Sequence, residues 1–168
     1  MKVLVVYFSR SGHTEQVARE IADALHADVE PIGDKTSRRG VVGYLRSGYE
    51  AAMKRLPDIA PPVHDLSTYD LVVVGTPVWN ASVSSPVRAF LTRNRGSLKR
   101  VAFFCTCGGR GAERAFREME LASGRRPADV LPLRERDLRK GYAERVERFV
   151  REIRAVLEPQ PQRAAPAA

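Results

Sequence analysis

Four short apolar runs punctuate the chain, at Val3–Phe8, Leu71–Val74, Val101–Cys105 and Val130–Leu133. None alternates with polar residues, the pattern of strands covered on both faces. A weaker strand is expected around Asp28–Ile32. Between these runs, apolar residues recur at helical spacing. Val17, Ile21 and Leu25 make one stripe. Val87, Phe90 and Leu91 follow Ser85-Pro86, read as an N-cap with a first-turn proline. Ala115, Phe116 and Met119 make a third stripe, with Gly124 as its stop. Tyr142, Val146, Phe149, Val150, Ile153 and Leu157 share the clearest face. Strand and helix alternate five times. That predicts an α/β fold: a doubly wound, five-stranded parallel sheet with helices on both faces.

The longest connection runs over residues 33–62. Within it Val41, Leu45, Ala52, Met53 and Leu56 suit one side of a helix that Pro61-Pro62 ends. From Glu158 onward the chain is mostly Pro, Gln and Ala, with no core pattern. One domain over residues 1–157 and a disordered tail over 158–168 are expected.

A chain of 168 residues, 43% of them hydrophobic, is long enough for one full core. No apolar run approaches the roughly 20 residues of a membrane span. The six apolar residues after Met1-Lys2 are too few for a signal peptide. A soluble cytoplasmic protein is expected. Cys105 and Cys107 stand at a spacing that seldom gives good disulfide geometry, which fits a reducing compartment. His26 and His64 are isolated and give no metal-ligand spacing, and Cys-x-Cys alone is a weak metal signal.

The net charge of +8 is unevenly placed. Residues 93–154 hold 17 Lys or Arg against 9 Asp or Glu, and the rest of the chain holds 11 of each. A basic face attracts nucleic acid, anionic membrane or an acidic partner. Yet Glu113/Arg117, Glu144/Arg148 and Glu147/Arg151 are spaced as pairs on solvated helix faces. The second reading is preferred, and no nucleic-acid partner is expected.

The candidate chemistry lies where strands end. The first strand runs into Ser9-Arg10-Ser11-Gly12-His13-Thr14, which opens a helix at the C-terminal strand edge, where doubly wound sheets bind ligands. Unpaired N–H groups at a helix start attract anions, the hydroxyls of Ser9, Ser11 and Thr14 add donors, and Gly12 admits close approach. This chemistry suits a phosphate monoester. There is no G-x-x-x-x-G-K-[ST] and no G-x-G-x-x-G here, which argues against nucleotide hydrolysis and a dinucleotide turn. His13 either donates to the ligand or points to solvent, the latter or a rim role being slightly preferred. An ordinary capped helix start competes with the whole reading. Two further loops tip the balance. Thr76-Pro77-Val78-Trp79-Asn80-Ala81-Ser82 carries the only tryptophan of the chain to the same edge, where it can stack on a flat ring. Thr106-Cys107-Gly108-Gly109-Arg110-Gly111 offers backbone amides to a planar edge.

Tyr7–Thr14, Gly75–Trp79 and the third loop, in this order, resemble the flavodoxin family in its short-chain form, over residues 2–156. The resemblance implies strand order 2-1-3-4-5 and non-covalent FMN. It puts Ser9, Arg10, Ser11, Gly12, His13 and Thr14 on the phosphate. Pro77, Val78, Trp79, Asn80 and Ala81 flank one side of the ring. Thr106, Cys107, Gly108, Gly109, Arg110 and Gly111 border its other side or its pyrimidine edge. The redox chemistry would be the flavin's, with no catalytic side chain. The chain departs from the family's acidic electron carriers in being basic, and in having Cys107 and glycines where an aromatic is common. Arg110 and the basic third imply a less negative second-electron potential. The leading reading is an electron carrier for a protein partner. The alternative is an NAD(P)H-dependent quinone or flavin reductase. The third reading, a flavin-free binding module, is disfavoured by the hydroxyl loop and Trp79.

Overall fold

The structure, a computed structural model, describes residues 1–33 and 56–158. In chain order the elements are β1 (Val3–Tyr7), α1 (His13–Leu25), β2 (Asp28–Pro31), a 3-10 turn (Leu66–Thr68), β3 (Leu71–Trp79), β4 (Ser82–Val83), α2 (Ser85–Arg93), β5 (Val101–Cys107), α3 (Ala112–Ser123), β6 (Pro127–Arg134), α4 (Glu135–Lys140) and α5 (Ala143–Leu157). The sheet order is β2-β1-β3-β5-β6 with parallel neighbours throughout, and β4 pairs antiparallel with the end of β3. Setting the two-residue β4 aside, this is the expected 2-1-3-4-5.

The apolar runs predict the core because both sheet faces are covered. On one face α1 and α5 bury Val17, Ile21, Val146, Phe149 and Ile153 against Val5, Val73, Phe104 and Leu133. On the other, α2 and α3 bury Val87, Phe90, Leu91 and Met119 against Leu4, Val6, Val72, Val74 and Phe103. Near its centre β3 carries Gly75, opposite Phe104 on β5. A Cβ there would lie 2.0 Å from the Phe104 ring, so glycine leaves the space that the aromatic fills.

Four points differ from expectation. β3 continues five residues past Val74, through Gly75-Thr76-Pro77, because pairing to β5 holds it extended: Thr76 and Pro77 sit in register with Cys105 and Thr106. β6 is covered on one face only: Leu131 and Leu133 are buried while Val130 is 37% exposed, as suits an edge strand. The N-cap of α2 is Ser84 rather than Ser85, and its hydroxyl is spent elsewhere, on Thr76 Oγ1 at 3.0 Å. The short α4 has no buried residue and so no stripe to announce it. Leu56 is exposed, the rest of the helix expected across Val41, Leu45, Ala52 and Met53 lies outside the described residues, and so does the tail from residue 159.

His64 is tied to the edge strand. The buried Glu30 of β2 accepts the Val63 N–H at 2.7 Å and the His64 N–H at 3.1 Å, and lies 2.7 Å from His64 Nδ1. One carboxylate thus fastens residues 63–64 to the edge strand.

Candidate functional site

The loop after β1 is short and mostly open. Arg10, Ser11, Gly12 and His13 are exposed, Ser9 is half-buried and Thr14 is buried. Gly12 caps α1 in the left-handed region. The first intrahelical bond is that of Gln16 N–H to Gly12 C=O, at 2.9 Å. The N–H groups of His13, Thr14 and Glu15 therefore precede the helical ladder and face the loop. Two of the three hydroxyls already have partners. Ser9 Oγ accepts the Gly12 N–H at 3.1 Å, and Thr14 Oγ1 lies 2.8 Å from Thr106 Oγ1 at the end of β5. The acid in this first turn, Glu15, is held by Arg19 at 2.8 Å. That bond, with a second from the Tyr7 phenol, lowers the Glu15 carboxyl.

The segment after β3 is a hairpin rather than a loop. Pro77, Val78 and Trp79 are half-buried residues of β3 itself. Asn80 and Ala81 make the turn at φ 47° and 55°, and Trp79 pairs with Ser82 across it. Positive φ at both central residues is the turn that matches strand twist. Asn tolerates it readily, whereas Ala is strained there. Trp79 meets Phe8, from the end of β1, edge-on with ring centroids 5.5 Å apart.

The hairpin is anchored beneath by buried polar groups. Ser82 Oγ donates a short hydrogen bond to Glu118 Oε2 on α3, and the Val83 N–H donates to the same oxygen at 3.2 Å. Arg88 of α2 reaches both Ser82 Oγ and Glu118 Oε2 at 2.9 Å. Burial works to raise the Glu118 carboxyl. The hydrogen bonds from Ser82, Val83 and Arg88 outweigh it and hold the group below the usual range. Next to this, Thr76 Oγ1 bonds Ser84 Oγ and accepts the Ser84 N–H at 3.1 Å.

The third loop divides in two. Thr106 and Cys107 are buried at the end of β5, while Gly108, Gly109 and Arg110 are exposed. A Cβ on Gly108 or Gly109 would meet nothing within 4 Å, so neither glycine is required by packing. Gly111 is required. It caps α3 at φ 96°, and a Cβ there would lie 2.5 Å from the Ala81 backbone. Both cysteines are free. The interaction with Cys105, helped by Arg134, lowers the Cys107 thiol, and the same interaction together with burial raises Cys105.

The three segments are therefore in mutual contact at one sheet edge: Phe8 on Trp79, Thr14 on Thr106, Gly111 on Ala81. Together they surround an open rim that combines helix-start donors, an indole and exposed backbone amides. A family model described as Flavodoxin matches residues 2–125. The chain belongs to the flavodoxin family. Solved structures with this fold include a flavoprotein from Lactobacillus acidophilus in complex with FMN, with a TM-score of 0.70 at 21% identity over 83% of this chain and 97% of that one. Oxidised flavodoxin 1 from Bacillus cereus has a TM-score of 0.58 at 19% identity, over 94% and 100%. Among curated relatives, an NAD(P)H dehydrogenase (quinone) of Cupriavidus metallidurans is 35% identical over 97 residues, covering 56% of this chain and 47% of that protein. Another, from Nitrobacter winogradskyi, is 29% identical over 126 residues, covering 64% and 54%. This flavodoxin-family chain thus spans about half the length of the curated relatives it matches.

Two structural elements at the rim escape the sequence reading. The hairpin is hidden by Gly75 and Pro77, which mimic a strand end. The Arg88–Glu118 anchor gives one local signal, a cation inside the apolar run Val87-Arg88-Ala89-Phe90, but nothing names its partner 30 residues away. Among the described residues no helix is long and apolar enough to cross a membrane, and no cluster of metal-ligating side chains occurs.

Proposed function

We propose that the protein is a redox flavoprotein that holds FMN at this rim and passes electrons between it and a protein partner. The observation that carries the reading is the mutual contact of the three loops, which brings the N–H groups that open α1 beside the Trp79 indole. Ser9 through Thr14 hold the phosphate, chiefly through Ser11 and the N–H groups that open α1. Pro77 through Ala81 form one wall of the ring site. Thr106 through Gly111 form the opposite border. The flavin supplies reversible one- and two-electron chemistry when bound; the chain supplies position and electrostatics. FMN in the Lactobacillus relative supports the choice of ligand.

A second reading, an NAD(P)H-dependent quinone reductase, is favoured by the names of the curated relatives. One experiment addresses both. The purified chain is titrated with FMN and with riboflavin, then mixed with NADPH and a quinone without air. FMN is expected to bind, and Ser11→Ala to weaken FMN by about tenfold while leaving riboflavin unchanged, since the lost donor serves only the phosphate. Equal losses for the two ligands count against the phosphate site. Steady NADPH oxidation by the chain alone selects the reductase; bleaching only with an added reductase protein selects the carrier.

A further inference from the structure

We propose that Glu118, with Arg88, is a positioning pair for the ring site: it holds the hairpin that presents Trp79. The inference rests on the reading of that hairpin as a wall of the flavin site. Two residues per strand do not sustain a hairpin in water, so the return strand needs outside support. That support comes from the helices below. A single oxygen, Glu118 Oε2, receives the Ser82 hydroxyl, the Val83 N–H and an Arg88 N–H. Its other oxygen takes Arg114 Nε at 3.3 Å. Ser82 is the register partner of Trp79, so the residue gripped is the one directly across from the indole. The Arg88 and Glu118 side chains are only 9% and 12% exposed. Hydrogen bonds between charged groups so shielded from water are stronger and geometrically stricter than surface pairs.

Helix α3 acts on the hairpin at two points. Its cap Gly111 packs under Ala81 at the turn, and Glu118, seven residues on, grips Ser82 at the return strand. The hairpin therefore follows α3, and the indole follows the hairpin. Neither Glu118 nor Arg88 belongs to the three loops assigned to the ligand, so both act through Trp79.

The test is a double-mutant cycle between Glu118→Gln and Trp79→Ala, read by binding of lumiflavin, which carries the ring without ribityl or phosphate. Glu118→Gln is expected to weaken lumiflavin by about tenfold in the wild-type background and by less than about twofold in the Trp79→Ala background. Visible circular dichroism of bound FMN should change with Glu118→Gln and not with the phosphate-loop variant Ser11→Ala. Equal losses in both backgrounds, or no loss in either, overturn the proposal. If Glu118→Gln fails to fold, the paired replacement Arg88→Met with Glu118→Met removes the grip without leaving a buried charge unpaired, and runs the same cycle. Trp79 is the only tryptophan, so its emission reports on the hairpin without a ligand. If the wild type binds no flavin, the ring-site reading fails by itself. An emission spectrum unchanged by Glu118→Gln then overturns the anchor as well, whereas a shifted one upholds it.

Discussion

The loop after β1 and the hairpin after β3 reach the same rim by opposite means. The loop is almost all backbone: four exposed residues, a helix start, and one buried link from Thr14 to Thr106. The hairpin is almost all side chain below its turn, with Ser82, Ser84, Thr76, Arg88 and Glu118 hydrogen-bonded in the interior. Helix N–H groups are fixed by the helix itself, so an anion site needs little extra scaffolding. An indole at the end of a strand has no such inherent placement and must be held. The contrast explains why one region can be written as a six-residue motif and the other cannot.

Gly111→Ala should sharpen the contrast most. It forces a side chain into the left-handed region and against the Ala81 backbone. We expect a loss of about 2–4 kcal/mol in urea unfolding. Trp79 emission should shift as well, while Gly108→Ala, in open space, changes stability by less than about 0.5 kcal/mol. Thr106→Val tests the loop in turn. It leaves the Thr14 hydroxyl buried without its partner, for an expected cost of about 1–3 kcal/mol, with weakened FMN and unmoved Trp79 emission. If Thr106→Val disturbs the indole as much as Gly111→Ala does, the two regions are not independent and the comparison breaks.

Acid gives the smallest effect. The Glu118 carboxyl is lowered in the folded state, so its contribution is present above the unfolded carboxylate range and is lost as pH falls through the folded value. Stability should therefore decline on acidification partly through Glu118, and the decline should be shallower in Glu118→Gln. Identical slopes for the two proteins would remove this carboxylate from the account.

Most of the fold is legible in the sequence because burial on both sheet faces leaves unbroken apolar runs. The stripes over Val17–Ile21 and Val146–Leu157 are just as plain. Legibility fails where tertiary neighbours override local signals. Gly75 and Pro77 read as a break, yet Phe104 needs the first and register with Thr106 keeps the second in the strand. At the rim, Ser9 to Thr14 and Trp79 are visible as residue types with obvious uses. Thr14 shows the limit of that visibility: its hydroxyl looks like one more donor for a ligand, and in the fold it is tied to β5. Arg88 and Glu118 are individually ordinary in a chain so rich in charge, and only the packing of α2 against α3 joins them.

The Thr14–Thr106 pair also carries an order in time. Its partners stand 92 residues apart, so synthesis delivers the first loop long before the hydroxyl that steadies it. A nascent chain ending before residue 106 holds the whole of Ser9–Thr14 and lacks the hydroxyl that pairs with Thr14. Contacts of such long separation carry a large loop-closure cost before they form. The rim, as the three segments form it, is thus complete only after the third loop has left the ribosome.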